Sequence, residues 1–187
     1  MTAIVRLLPG ETLPPYSYVP GLFPHPTSDP LGHSYGHHAS PVAAPTDDAW
    51  SHCTPYLHGI DLFNFGYYWE AHEAWESVWH ACGRRGPLAD FLKALIHLAA
   101  AGVKLREGRG DGAAGHARRA EALFASLAAP RVMGLDVSKL IEDARQIAIL
   151  TPLSANRIPA PIEIVLPFTL RLETEPRPSG SGIRTAP

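Results

Sequence analysis

The chain has 187 residues, 16 Lys+Arg against 18 Asp+Glu, a formal net charge of -2 and 45% hydrophobic residues. That length fits one domain with extensions, and the balanced charge excludes a long-range field drawing the protein to nucleic acid or anionic lipid. No run approaches the ~20 apolar residues that span a bilayer, and the two cysteines, Cys53 and Cys82, make neither a disulfide framework nor a paired-cysteine zinc site.

The opening "MTAIVRLLPG" carries an apolar run too short for the core of a signal peptide. A cytoplasmic protein with reduced thiols and no membrane segment is the expectation. Prolines then stand at 9, 14, 15, 20, 24, 26, 30, 41 and 45. Proline lacks an amide donor and fixes φ, so residues 1–45 form neither helix nor central strand. Leu13, Tyr16, Tyr18, Val19, Leu22 and Phe23 would be wasted in solvent. The segment therefore reads as an extended arm over the helical body or over a neighbouring subunit. Its polar groups His25, Asp29, His33, His37 and His38 are unevenly spaced on a proline-broken backbone. They read as loop residues capping the bundle rather than as a metal-binding tract.

From Thr46 the pattern turns helical, with Thr46 or Asp47 as N-cap. Helices are expected over 54–64, 67–82, 88–107, 112–128 and 137–150. Gly66 and Gly83 punctuate the first two, Pro87 opens the third, Asp111 caps the fourth, and Asp136 caps the last before Pro152 stops it. Short connections between such segments predict an all-α, up-and-down bundle of three to five helices over 46–150. Residues 151–187 form a tail, in which the alternation of Phe168, Leu170 and Leu172 with Thr169, Arg171 and Glu173 suggests a short edge strand or an extended segment. Either extension offers a route to a homo-oligomer.

The stretch "YYWEAHEAWESVWH" (67–80) raises the functional question. At about 100° per residue, with His72 as zero, Trp79 and Phe65 fall about 20° either side, Tyr68 about 40° to one side and Glu76 about 40° to the other. Trp69 and Trp75 lie about 60° either side, Glu73 is marginal, and Glu70 points away as ordinary surface. His72 and Glu76 thus sit inside an aromatic stripe of Phe65, Tyr68, Trp69, Trp75 and Trp79. Three readings compete: a hydrogen-bonded pair that fixes packing, two ligands of one cation, or acid–base chemistry in a pocket. Glu73 and Glu76 are the candidate bases. "HEAWE" resembles a zinc-protease helix with Glu76 replacing its second histidine, but a third ligand is missing and Glu73 lies off the stripe.

Two further histidines join as candidates. His97 stands among Ala94, Ala100 and Ala101, small enough for close helix approach, and His116 shares a stripe with Ala120, Leu123 and Leu127. His72, Glu76, His97 and His116 together would suit a divalent Zn, Fe, Ni or Mn ion.

The sequence "GIDLFNFGYYWEAHEAWESVWH" resembles the domain of unknown function family 309 of bacteria and archaea, whose HxxxExxW signature maps onto His72, Glu76 and Trp79. "FLKALIHLAAAGVKLREG" is similar to the family's next helix, with Lys93 and His97 where the family often has glutamines. The resemblance implies an all-helical fold with about three core helices and metal binding at the signature residues, without naming a substrate. A non-catalytic scaffold, with His72 and Glu76 as a structural pair, is the competing class.

Overall fold

The computed structural model describes residues 4–37, 41–46, 48–149 and 159–173. Among these, five helices follow one another: α1 (Thr54–Asn64), α2 (Tyr68–Ala81), α3 (Pro87–Arg106), α4 (Gly110–Ala125) and α5 (Val137–Ala148). Each packs against the next in the chain, the serial arrangement that short connections impose. The described helices include none long and apolar enough to cross a membrane.

Local chemistry accounts for the ends. Pro55 lies in the first turn of α1 and Pro87 opens α3, where a missing N–H costs nothing. Asp136 caps α5 by accepting the Lys139 amide at 3.0 Å. Gly66 turns the chain between α1 and α2 at φ +88, and a side chain there would meet the Glu163 carbonyl of the tail. Gly102 lets α3 approach α2 so closely that a Cβ would lie 2.6 Å from the Tyr68 ring.

Two expectations need correction. Residues near Thr46 do not start the first helix: a single 3-10 turn at Trp50–His52 precedes α1, and Asp47 lies outside the described residues. Asp111 does not cap α4, which starts one residue earlier; it lies in the first turn, where its charge favours the helix N-terminus. The described tail residues form no strand. The described sheet is a two-residue ladder of β1 (Arg131–Val132) with β2 (Leu135–Asp136), unforeseen because such short pairing carries no periodic signal. His38, Pro152 and the end of the tail fall outside the described residues.

The core runs the length of the bundle, with Trp75, Tyr56, Phe63, Phe91 and Phe124 fully buried. The arm and tail lie over it, and several of their backbone groups bond helix side chains. Asp61 of α1, 1% exposed, accepts the amides of Leu7 and Leu8, each at 2.8 Å. Arg106 of α3 donates to the Ser17 carbonyl at 3.0 Å in the arm and to Ala160 at 2.7 Å in the tail. Asn64 brackets Leu170, donating to its carbonyl at 2.9 Å and accepting its amide at 2.8 Å. The Tyr68 hydroxyl accepts the amides of Val165 and Leu166. An extended chain with many prolines has no ladder to pair with, so these buried side chains take its place.

Replacing Asp61 with Ala strands two amides and removes two charge-assisted bonds. Urea denaturation should show a loss of about 2–3 kcal/mol, accompanied by faster proteolysis within the first residues of the arm.

Candidate functional site

The core-facing side of α2 is set by Ala71, Trp75, Val78 and Tyr68, all 1% exposed or less. On the wheel that face is centred roughly 80° from His72. Close packing of helices selects small residues such as Ala71 at the centre, whereas tryptophans can stand at the margins with one face covered. A wheel weighted by aromatics therefore points to the margin. His72 is 29% exposed in its side chain and Glu76 38%. They flank the core instead of lying in it.

The five aromatics do not build one wall around the pair. Trp75 is in the core, where its indole N–H donates to the Tyr56 carbonyl at 3.2 Å. Tyr68 faces the tail, and Phe65 is half-buried against the core. Trp79 sits beside His80 and under the Arg84 guanidinium. Trp69 is covered by the arm, with the rings of Tyr18 and His25 edge-on at 5.2 and 5.4 Å.

His72 Nε2 lies 3.7 Å from Glu76 Oε2, and His80 Nε2 lies 3.9 Å from Glu76 Oε1. These are ion-pair separations, longer than a hydrogen bond. One ligand atom each from His72, Glu73 and Glu76 lie within 4.8 Å of one another, the one such cluster of three among the described residues. Burial pushes the Glu73 carboxyl up to about 7, with Glu76 and then Glu70 adding like charge. Glu73 is solvent-exposed, so water offsets part of that rise. Burial pulls the His72 imidazole down, against the opposing pull of Glu76.

His97 and His116 meet each other. Their Nδ1 atoms are 3.2 Å apart, so one ring donates to the other and at least one is neutral. Burial lowers His97 to about 4, with His116, Arg119, Lys93 and His72 adding positive charge. His116 is lowered mainly by burial as well, and His72 again contributes. The charge of His72 thus reaches both rings, but neither joins the cluster of three.

Sequence reasoning missed the other side of α2. Glu70, expected at the surface, is 7% exposed. Its Oε1 accepts the Tyr18 amide at 2.9 Å and bonds His33 Nε2 at 3.1 Å. The arm creates this burial, and no property of α2 alone signals it; the apolar residues around Tyr18 were the available hint. A cleft of about 570 Å³ opens beside it, between the arm, α1 and α2. Glu70, Glu73 and Glu76 line it together with His33 and His37 of the arm, His58 of α1, and Trp69 and His80 of α2. Glu73 and Glu76 therefore belong both to the His72 cluster and to the cleft.

Fold and site together define a helical-bundle protein with a His/Glu cluster on the flank of its second helix. Residues 56–115 match the family model described as Domain of unknown function (DUF309), which supports the family read from the HxxxExxW motif. The match includes His72, Glu76, Trp79 and His97 and stops one residue before His116. Comparison with curated proteins and with solved structures finds no match.

With a folded value near 4 against an ordinary 6.5, His97 resists protonation in the native state more than in the unfolded chain. Its contribution is fully present above pH 6.5 and is lost as pH falls towards 4. His97→Gln should flatten the decline of unfolding free energy between those two pH values in urea titrations, while leaving the neutral value nearly unchanged.

Proposed function

We propose that the chain binds a divalent metal ion through His72 and Glu76, with Glu73 beside them and the His97–His116 pair behind. The observation that carries this reading is the convergence of His72, Glu73 and Glu76 ligand atoms to within 4.8 Å on one accessible helix turn. Side-chain rotation can narrow that span to the roughly 3.3 Å between donors around a tetrahedral ion. One imidazole with carboxylates suits Zn, Fe, Ni or Mn better than Cu(I). So few protein ligands leave coordination positions open towards the cleft, as in a catalytic site.

The enzymatic form of this reading is metal-assisted hydrolysis with Glu73 as general base. Burial and the neighbouring charges of Glu76 and Glu70 raise its carboxyl above the ordinary value, in the direction that suits a base at neutral pH. The structural-pair alternative draws less support. A buried lock would show a hydrogen bond, whereas His72 and Glu76 stand 3.7 Å apart with roughly a third of each side chain exposed.

Untagged protein stripped with a chelator and titrated with Zn, Mn, Fe and Ni salts provides the test. Saturation by one of these metals is expected in the wild type, with loss in His72→Ala. The same substitution should change unfolding free energy by less than about 1 kcal/mol, because an exposed ion pair contributes little. No uptake by the wild type, or undiminished uptake by the variant, would remove the metal reading. A stability loss of several kcal/mol without any metal effect would favour the structural pair.

A further inference from the structure

We propose that Ser34, His33 and Glu70 form a second chemical site, a serine relay that hydrolyses small uncharged carboxylic esters in the cleft beneath the arm.

Two side-chain hydrogen bonds in series carry it. Glu70 Oε1 lies 3.1 Å from His33 Nε2, and His33 Nδ1 lies 2.9 Å from the Ser34 hydroxyl oxygen. A carboxylate accepts and does not donate, so Nε2 carries a proton and donates it to Glu70. In the neutral ring Nδ1 is then the acceptor, and it takes the hydrogen bond of the Ser34 O–H. Nucleophile, base and orienting carboxylate thus stand in the order that activates a serine, within the usual reach of such bonds. The two ring nitrogens are exchanged relative to the common triad.

The relay is fixed before any substrate arrives. The side chains of His33 and Glu70 are 7% and 6% exposed, so water competes little for the bond between them. The Ser34 amide donates to the Pro26 carbonyl at 2.9 Å, and the Tyr16 ring packs edge-on against His33 at 4.8 Å. A side chain at Gly32 would collide with the carbonyls of His25 and Pro26, which holds the loop close to itself. Neighbouring serine and histidine residues are common; here a buried carboxylate from another element orients the histidine.

The cleft sets the substrate class. Ser34, His33 and Glu70 all line it, and its volume of about 570 Å³ is that of a small-molecule site. Among the described lining residues are three glutamates and no lysine or arginine, which disfavours anionic esters. Pro14, Leu62, Trp69 and Ala74 offer apolar surface for an acyl or alkyl group. His37, whose amide donates to the Ser34 carbonyl at 3.1 Å, lines the cleft as well and supplies a side-chain donor for the ester carbonyl oxygen.

In the first half-reaction Ser34 Oγ bonds to the ester carbon and its proton passes to His33 Nδ1. The bond from that carbon to the leaving oxygen breaks, and the alcohol departs with the proton. Water then adds to the acyl carbon, giving its proton to Nδ1. The bond to Ser34 Oγ breaks, the hydroxyl recovers the proton, and a carboxylic acid is released.

The metal reading uses none of these three residues, so EDTA separates the two. Untagged full chain in EDTA is assayed with p-nitrophenyl acetate and labelled with phenylmethanesulfonyl fluoride, the adduct being located by peptide mass. Saturable hydrolysis and a label on Ser34 are expected. Ser34→Ala, which removes only the hydroxyl, should lower kcat/KM about a hundredfold or more. Glu70 is a positioning residue, and Glu70→Gln should lower kcat at least tenfold with KM nearly unchanged, whereas a merely loosened arm would raise KM. Hydrolysis no faster than that of Ser34→Ala, or a label elsewhere than on Ser34, would overturn the proposal. So would hydrolysis that requires added metal and survives Ser34→Ala, an outcome favouring the metal reading. Esterase activity in EDTA from a chain that takes up no metal would retire the metal reading alone.

Discussion

Two stretches of chain without helix or strand, held against the bundle by its side chains, govern this structure. The arm carries a proline every few residues, and the described part of the tail has no strand partner. Each exposes amides and carbonyls that cost free energy when covered without partners. Asp61, Asn64, Tyr68, Glu70 and Arg106 meet that demand from three consecutive helices. Arg106 binds arm and tail at once, and the Ser17 amide donates across to the Pro161 carbonyl at 2.9 Å. The two extensions are in this way fixed to the bundle and to each other.

The candidate site is a consequence of this covering. Without the arm, the side of α2 bearing Glu70 would face water, and the bundle would carry only an exposed His72 cluster. With it, a carboxylate is buried next to two more, and an open helix face becomes a cleft roofed by His33 and His37. Charge crowding follows from geometry here. Three glutamates three residues apart fall on one flank of a helix, and partial enclosure raises the Glu73 carboxyl towards neutrality. On the far flank the His97–His116 contact keeps a second pair of rings mostly neutral between cationic neighbours.

Much of the helical framework was legible locally. Pro55, Gly66, Gly83, Pro87 and Asp136 each act through φ, a missing donor or a cap, and such effects operate within a turn of the residue itself. The elements α1, α2, α3 and α5 accordingly lie where these markers put them. The His97–His116 meeting was half legible: alanines on α3 announced a close neighbour, but not which histidine would arrive. The orientation of α2 was less accessible. Large aromatics dominate any reading of a wheel, yet Ala71 and Val78 mark the packed face because small side chains allow helices to approach.

By itself the sequence determined an all-helical body with a proline-rich arm, and it singled out the turn of α2 that carries His72 and Glu76. Those outcomes depend on backbone preferences and short-range spacing, which the order of residues contains. Only the tertiary structure decided that Glu70 is buried, that Trp69 lies under Tyr18 and His25, and that Glu73 and Glu76 face a cleft. The physical reason is distance along the chain. Burial of Glu70 is produced by residues some fifty positions earlier, and periodicity within a helix says nothing about what a remote, irregular segment will lay across it.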